Sequence, residues 1–134
     1  MIRYRNGYAY QLVESCQMLV NIHPPEDIVT EWVLLNGEGF LSILRGYAWD
    51  GPSGPMPDTS DSMRGSLAHD ALYQLMREGR LDARYRDVAD KLLREICIED
   101  GMGHPMAELV YQAVHIFGDP YADPASEKPV IEAP

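Results

Sequence analysis

Met63-Arg64-Gly65-Ser66-Leu67-Ala68-His69-Asp70-Ala71-Leu72-Tyr73-Gln74-Leu75-Met76 spaces its apolar side chains three and four positions apart, which is a helical period. On a wheel of roughly 100° per residue, Leu67, Ala68, Ala71, Leu72, Leu75 and Met76 gather into one arc. The pattern predicts a helix from about Met63 to Glu78 that stops at Gly79. A second helix follows from about Ala83 to Glu99, with Asp82 as its N-cap and Gly101 just past its end. Its arc is Val88, Ala89, Leu92, Leu93, Ile96 and Cys97. A third begins with Pro105 at its first position and runs to Phe117, ending at Gly118.

Upstream the period changes. Tyr8–Val13, Met18–Ile22, Ile28–Leu35 and Phe40–Leu44 are short runs rich in β-branched and aromatic residues. His23-Pro24-Pro25 and Asn36-Gly37-Glu38-Gly39 separate them, and the Asn-Gly pair signals a hairpin. The expected fold class is α+β: a small N-terminal antiparallel sheet, one face covered, followed by a three-helix C-terminal part. Between the two, residues 46–62 carry three glycines, three prolines and three aspartates, which excludes regular structure. This Gly/Pro-rich crossing loop is long enough to suggest a function, and Trp49 is expected to anchor it. Residues 1–118 read as one domain. Residues 119–134, with four prolines and no periodicity, read as a flexible acidic tail.

Composition sets the outer limits. The chain has 134 residues with 11 Lys+Arg against 21 Asp+Glu, a net charge of −10. That balance argues against nucleic acid as a partner and against attraction to anionic lipid. Apolar residues make up 46%, enough for one core. Cys16 and Cys97 allow one bridge at most, so this is no disulfide scaffold. No apolar run is long enough to span a membrane, and the start Met1-Ile2-Arg3-Tyr4-Arg5 does not read as a signal peptide. The expected location is cytoplasmic, in a cell or a host cell.

The chemistry sits where the two helical arcs end. His69 falls just outside the first arc and Tyr73 one turn further along the same side, while Asp90 falls just outside the second. If the arcs pack together, a His and an Asp meet at a half-dry seam. A carboxylate there fixes the imidazole tautomer and raises its basicity. Asp70 points toward the crossing loop, where a carboxylate and loop carbonyls make a hard-cation site. Each residue also has a plain reading. His69 could be a packed structural histidine, Asp70 a solvent-facing residue and Asp90 the surface partner of Arg94. Asp50 could form an Asx turn, and Tyr73 could keep its hydroxyl in water. Other constellations fail: His23, His104 and His115 lie in a turn, a helix start and an apolar helix, and neither cysteine has a partner for zinc.

The order of a glycine loop (Gly51-Pro52-Ser53-Gly54), Pro57-Asp58, His69-Asp70-Ala71-Leu72-Tyr73 and Ala89-Asp90 resembles the phospholipase A2 superfamily, above all the compact modules of parvovirus capsid proteins. The resemblance covers about a third of the chain. It implies His69 as the general base on water, Asp90 as the group that orients it, and Tyr73 as a hydrogen-bond donor to Asp90. It also implies Asp70 as a calcium ligand, with Gly51 and Gly54 supplying carbonyls and an oxyanion donor. Trp49, Asp50 and Ser53 are further loop candidates. Pro52 departs from the family's tighter glycine pattern and removes one N–H donor. The β region has no counterpart in the small lipases.

A second resemblance runs from Tyr8 to Gly118 and centres on Gly46–Pro55 and Met63–Met76. These segments look like a family of small phage and prophage proteins known as a domain of unknown function, number thirteen fifty-three. It implies a phage origin and no activity. Two functions are therefore expected: a calcium-dependent ester hydrolase acting on phospholipid or another small ester, or a non-enzymatic phage protein. The latter would be a virion component or a host-modulating binder with a phage or host protein partner.

Overall fold

The structure is a computed structural model that describes residues 2, 4–5, 10–51 and 59–117. The expected tail, and Ser53 and Gly54 of the crossing loop, lie outside the described residues. Seven short strands come first: β1 (Tyr4–Arg5), β2 (Tyr10–Leu12), β3 (Cys16–Leu19), β4 (Ile28–Val29), β5 (Val33–Leu35), β6 (Phe40–Ile43) and β7 (Ala48–Trp49). Three helices follow: α1 (Ser60–Arg77), α2 (Arg86–Glu99) and α3 (His104–Phe117). The fold is α+β, antiparallel sheet followed by helices.

One sheet was expected and two form. β1, β2 and β7 make a three-stranded sheet, and β3, β6, β5 and β4 a four-stranded one, in those orders. The division has a local cause. β3 and β6 pair from Leu19↔Phe40 to Cys16↔Ile43, and both strands then break at the same level. The Ser15 hydroxyl, not a strand carbonyl, takes the Arg45 N–H at 3.0 Å. Gly46 turns through a positive φ of 97°, where a Cβ would lie 2.8 Å from the Trp32 ring. Past that corner the same two chain segments pair again as β2 and β7, with Tyr10 opposite Trp49.

The run from Ile28 to Leu35 is likewise interrupted. Thr30 Oγ1 accepts from the Val33 N–H at 2.9 Å, folding residues 30–33 into a turn so that β4 and β5 pair as a hairpin. The Asn36-Gly37 hairpin forms as read, as a four-residue loop. Asn36 Oδ1 accepts from the N–H groups of Glu38 and Phe40, both at 3.0 Å.

α1 begins three residues earlier than periodicity alone predicts. Ser62 Oγ accepts from the Thr59 N–H at 3.3 Å and donates to the Thr59 carbonyl at 2.9 Å, which satisfies the first turn. Asp82 caps the next element by accepting from the Arg84 N–H at 2.8 Å, but that first turn, Ala83–Tyr85, is 3₁₀ before α2 starts. Leu67, Ala68, Ala71, Leu72, Leu75 and Met76 are all buried in one core with inner residues of both sheets, among them Leu12, Val33, Leu41 and Ile43, and with Ile22 of the β3–β4 connection. A smaller core of Leu93, Cys97, Met102, Ala107 and Val110 joins α2 to α3. Among the described residues no helix is long and apolar enough to cross a membrane.

Candidate active site

Gly65 brings α1 and α2 together. A Cβ at this position would lie 2.9 Å from Leu93 Cδ1 and 3.0 Å from Cys97 Sγ, so only the bare backbone fits. That close approach closes the seam one turn further on. His69 Nε2 lies 2.7 Å from Asp90 Oδ1, and the Tyr73 hydroxyl donates to the same oxygen at 2.6 Å. Asp90 is completely buried and His69 is 8% exposed, so both contacts are shielded from water. A carboxylate oxygen accepts, so the hydrogen of the His69 ring is on Nε2 and the free electron pair on Nδ1.

The plain readings of Asp90 and Tyr73 do not hold. Arg94 pairs with Glu108 of α3 at 2.9 Å, not with Asp90, because it lies on the α3 side of α2. The Tyr73 hydroxyl is bonded to Asp90 within the protein. Burial, reinforced by the hydrogen bond to Asp90, raises its pKa. Its ring centroid is 4.1 Å from that of His69, which holds the imidazole from one side.

Asp70 is the next residue, about 100° further round α1, on the side of Tyr47 and Asp50 at the start of the crossing loop. Burial pushes its carboxyl up to about 6; His69 and Arg77 oppose the rise and Asp50 adds to it. The Tyr47 hydroxyl there is 3.1 Å from Gln74 Oε1. Regular structure was excluded over residues 46–62, yet Ala48–Trp49 pair with β2 as β7 and α1 already starts at Ser60. The composition does not register a two-residue edge pairing or a capped helix start. Trp49 is buried and donates from Nε1 to Ser66 Oγ at 3.1 Å, which is the anchoring expected of it. Gly51 has a φ of 78°, and a Cβ there would sit 2.3 Å from the Tyr10 ring. Asp50, between them, is exposed.

Four residues of the site were missed in the sequence. His115, on α3, places Nδ1 3.5 Å from Asp90 Oδ2 and 3.4 Å from Asp87 Oδ1. Arg86 Nη1 donates to the His115 carbonyl at 3.0 Å, and its charge opposes the rise in the Tyr73 pKa. The Tyr111 hydroxyl donates to Asp87 Oδ1 at 2.6 Å. A signal was present: Tyr111 and His115 are one turn apart on α3, as Asp87 and Asp90 are on α2. Setting His115 aside as part of an apolar helix overlooked that α3 turns this edge toward α2.

A half-buried carboxylate such as Asp70 is a hard-cation ligand by its chemistry, with the Arg77 guanidinium also within its electrostatic reach. Among the described residues no three His, Cys, Asp or Glu side chains gather for a metal, so Asp70 would need backbone carbonyls beside it. No family model, curated protein or solved structure matches the chain, and both resemblances rest on the residues quoted for them.

Proposed function

We propose that the chain is a hydrolase of phospholipase A2 type, with His69 as the base that removes a proton from water. The observation that carries this reading is the buried oxygen of Asp90 holding both His69 Nε2 at 2.7 Å and the Tyr73 hydroxyl at 2.6 Å. Asp90 orients the ring and stabilises the imidazolium that forms when Nδ1 accepts the proton. Tyr73 takes up a second lone pair of Asp90 and packs against the His69 ring. His69 and Asp70 are adjacent on α1, so one rigid helix carries the base and the candidate cation ligand about 100° apart, near enough to serve one ester. Asp70 with carbonyls of the crossing loop, Gly51 among them, would hold calcium; the bound ion would polarise the carbonyl of the ester. The raised Asp70 pKa and the nearby Asp50 fit that assignment, because a cation relieves the cost of burying the charge.

The test is fatty-acid release from vesicles of neutral and mixed phospholipid, with calcium and with chelator. A charge of −10 disfavours a strongly anionic surface, so the neutral vesicles are needed. Wild type should release fatty acid only with calcium. His69→Gln cannot act as a base near neutral pH and should lose at least the ~10²–10⁴ typical of general-base catalysis. A folded wild type as inert as His69→Gln on every lipid would end the enzymatic reading.

The second reading is a non-enzymatic phage protein, a virion component or a host-modulating binder. It is favoured by the outer face of the four-stranded sheet, where Leu19 is 74% exposed, Val29 66% and Phe40 39%. Exposed apolar groups across neighbouring strands suit contact with another protein.

A further inference from the structure

Asp90 uses only one of its two oxygens. Oδ1 carries both His69 and Tyr73, whereas Oδ2 is buried with no hydrogen bond to any described residue. The His115 Nδ1 atom facing it, 3.5 Å away, is also buried and without a hydrogen bond, although the side chain as a whole is 41% exposed. A lone acceptor and a ring nitrogen thus confront each other just beyond bonding distance. A buried acceptor left without a donor has lost its water and gained nothing in return, so the gap favours closure.

The surroundings direct His115 to Asp90. Its ring stacks on Tyr111, with centroids 5.4 Å apart, and its carbonyl is held by Arg86 at 3.0 Å. Asp87 Oδ1 competes at 3.4 Å, but it already accepts from Tyr111 at 2.6 Å and Lys91 holds its Oδ2 at 3.0 Å, so the need for a donor is greater at the bare Asp90 Oδ2. Asp90 Oδ2 has no other claimant among the described residues. Closure would also have a consequence for the base. The last torsion of an aspartate is broad, so the plane of the carboxylate is set only by its bonds. Two donors on one oxygen leave it free to swing about that oxygen. A third donor on the other oxygen locks it.

We propose that His115 is a positioning residue for His69, acting through Asp90: its Nδ1–H closes on Oδ2 and holds the carboxylate in the plane that His69 requires. This rests on reading His69 as the base, but the positioning itself is measurable without any substrate.

The experiment compares His115→Asn with His115→Leu in the full chain. The Asn amide nitrogen stands where Nδ1 stands and still donates; a Leu methyl in the same place cannot. The first readout is the downfield proton signal of the His69 ring N–H, assigned by its loss in His69→Gln. It should persist in wild type and His115→Asn and be lost to faster solvent exchange in His115→Leu. In lipid hydrolysis, kcat should fall about tenfold for His115→Leu with KM unchanged, and recover with Asn. A signal that survives in His115→Leu overturns the proposal. Equal loss in both variants also overturns it, because packing rather than the donor would then matter. If the signal behaves as expected but wild type cleaves no lipid, the positioning stands and the hydrolase reading falls. Should His115→Leu fail to fold, the ring nitrogen spectrum of wild type decides: hydrogen on Nδ1 is required, and hydrogen on Nε2 alone overturns the proposal.

Discussion

Replacing Asp70 by Asn should make the protein more stable, and the calcium response should reveal why the acid is there. Burial raises the Asp70 carboxyl from 3.8 to about 6, with Asp50 adding to the rise against His69 and Arg77. A shift of two units corresponds to ~3 kcal/mol of penalty on the charged form. The side chain keeps some contact with water, so about 1–2 kcal/mol is the realistic share. The sign follows from proton linkage. Between pH 3.8 and 6 the folded state holds more of the proton than the unfolded one, so wild-type stability falls as pH rises through that window. Asn at this position carries no charge at any pH and escapes the loss. In chelator at pH 7.5, Asp70→Asn should therefore melt several degrees higher than wild type, and the difference should vanish near pH 3.5. Millimolar calcium should reverse the order, because only the carboxylate gains from binding the folded state. The assay is thermal unfolding by circular dichroism from pH 3.5 to 7.5, with calcium and with chelator. Parallel melting curves for the two proteins across this range would refute the burial argument. An equal calcium response would refute the cation site.

The remaining predictions concern the framework that holds the site. Gly65→Ala should destabilise by ~1–3 kcal/mol in urea, because the new methyl would lie 2.9 Å from Leu93 Cδ1 and 3.2 Å from the Leu93 carbonyl. The same variant should weaken the His69 ring N–H signal, since it spreads the two helices that form the seam. Trp49→Phe should cost about 1 kcal/mol or more in urea, through loss of the 3.1 Å bond to Ser66 and of buried ring area. Cys97 is fully buried, and burial pushes its thiol up to about 11, so it should resist a thiol reagent at pH 8 until denaturant is added.

The period of residues 63–97 was enough, without tertiary knowledge, to place two helices and their apolar arcs; that His69 and Asp90 meet followed only if those arcs pack together, as they do. A helix repeats every 3.6 residues, so the arcs mark the packed sides. Yet Asp90, read as just off its arc, is completely buried, while Val88 and Leu92 within the arc are only half-buried. The hairpin at Asn36 was legible because its turn chemistry lies within four residues. The division of the strands into two sheets was not legible. β2 and β7 are three and two residues long and meet across more than thirty intervening positions, and no local pattern records that pairing. His115 was hidden in the same way. Its own helix reads as apolar, and its meaning lies in the edge that α3 turns toward Asp87 and Asp90. That orientation comes from Ala107 and Val110 packing with Leu93 and Cys97, a contact between two consecutive helices whose relative rotation periodicity does not give. Periodicity states which side of an element is buried. Only packing decides which polar groups on two such edges come face to face.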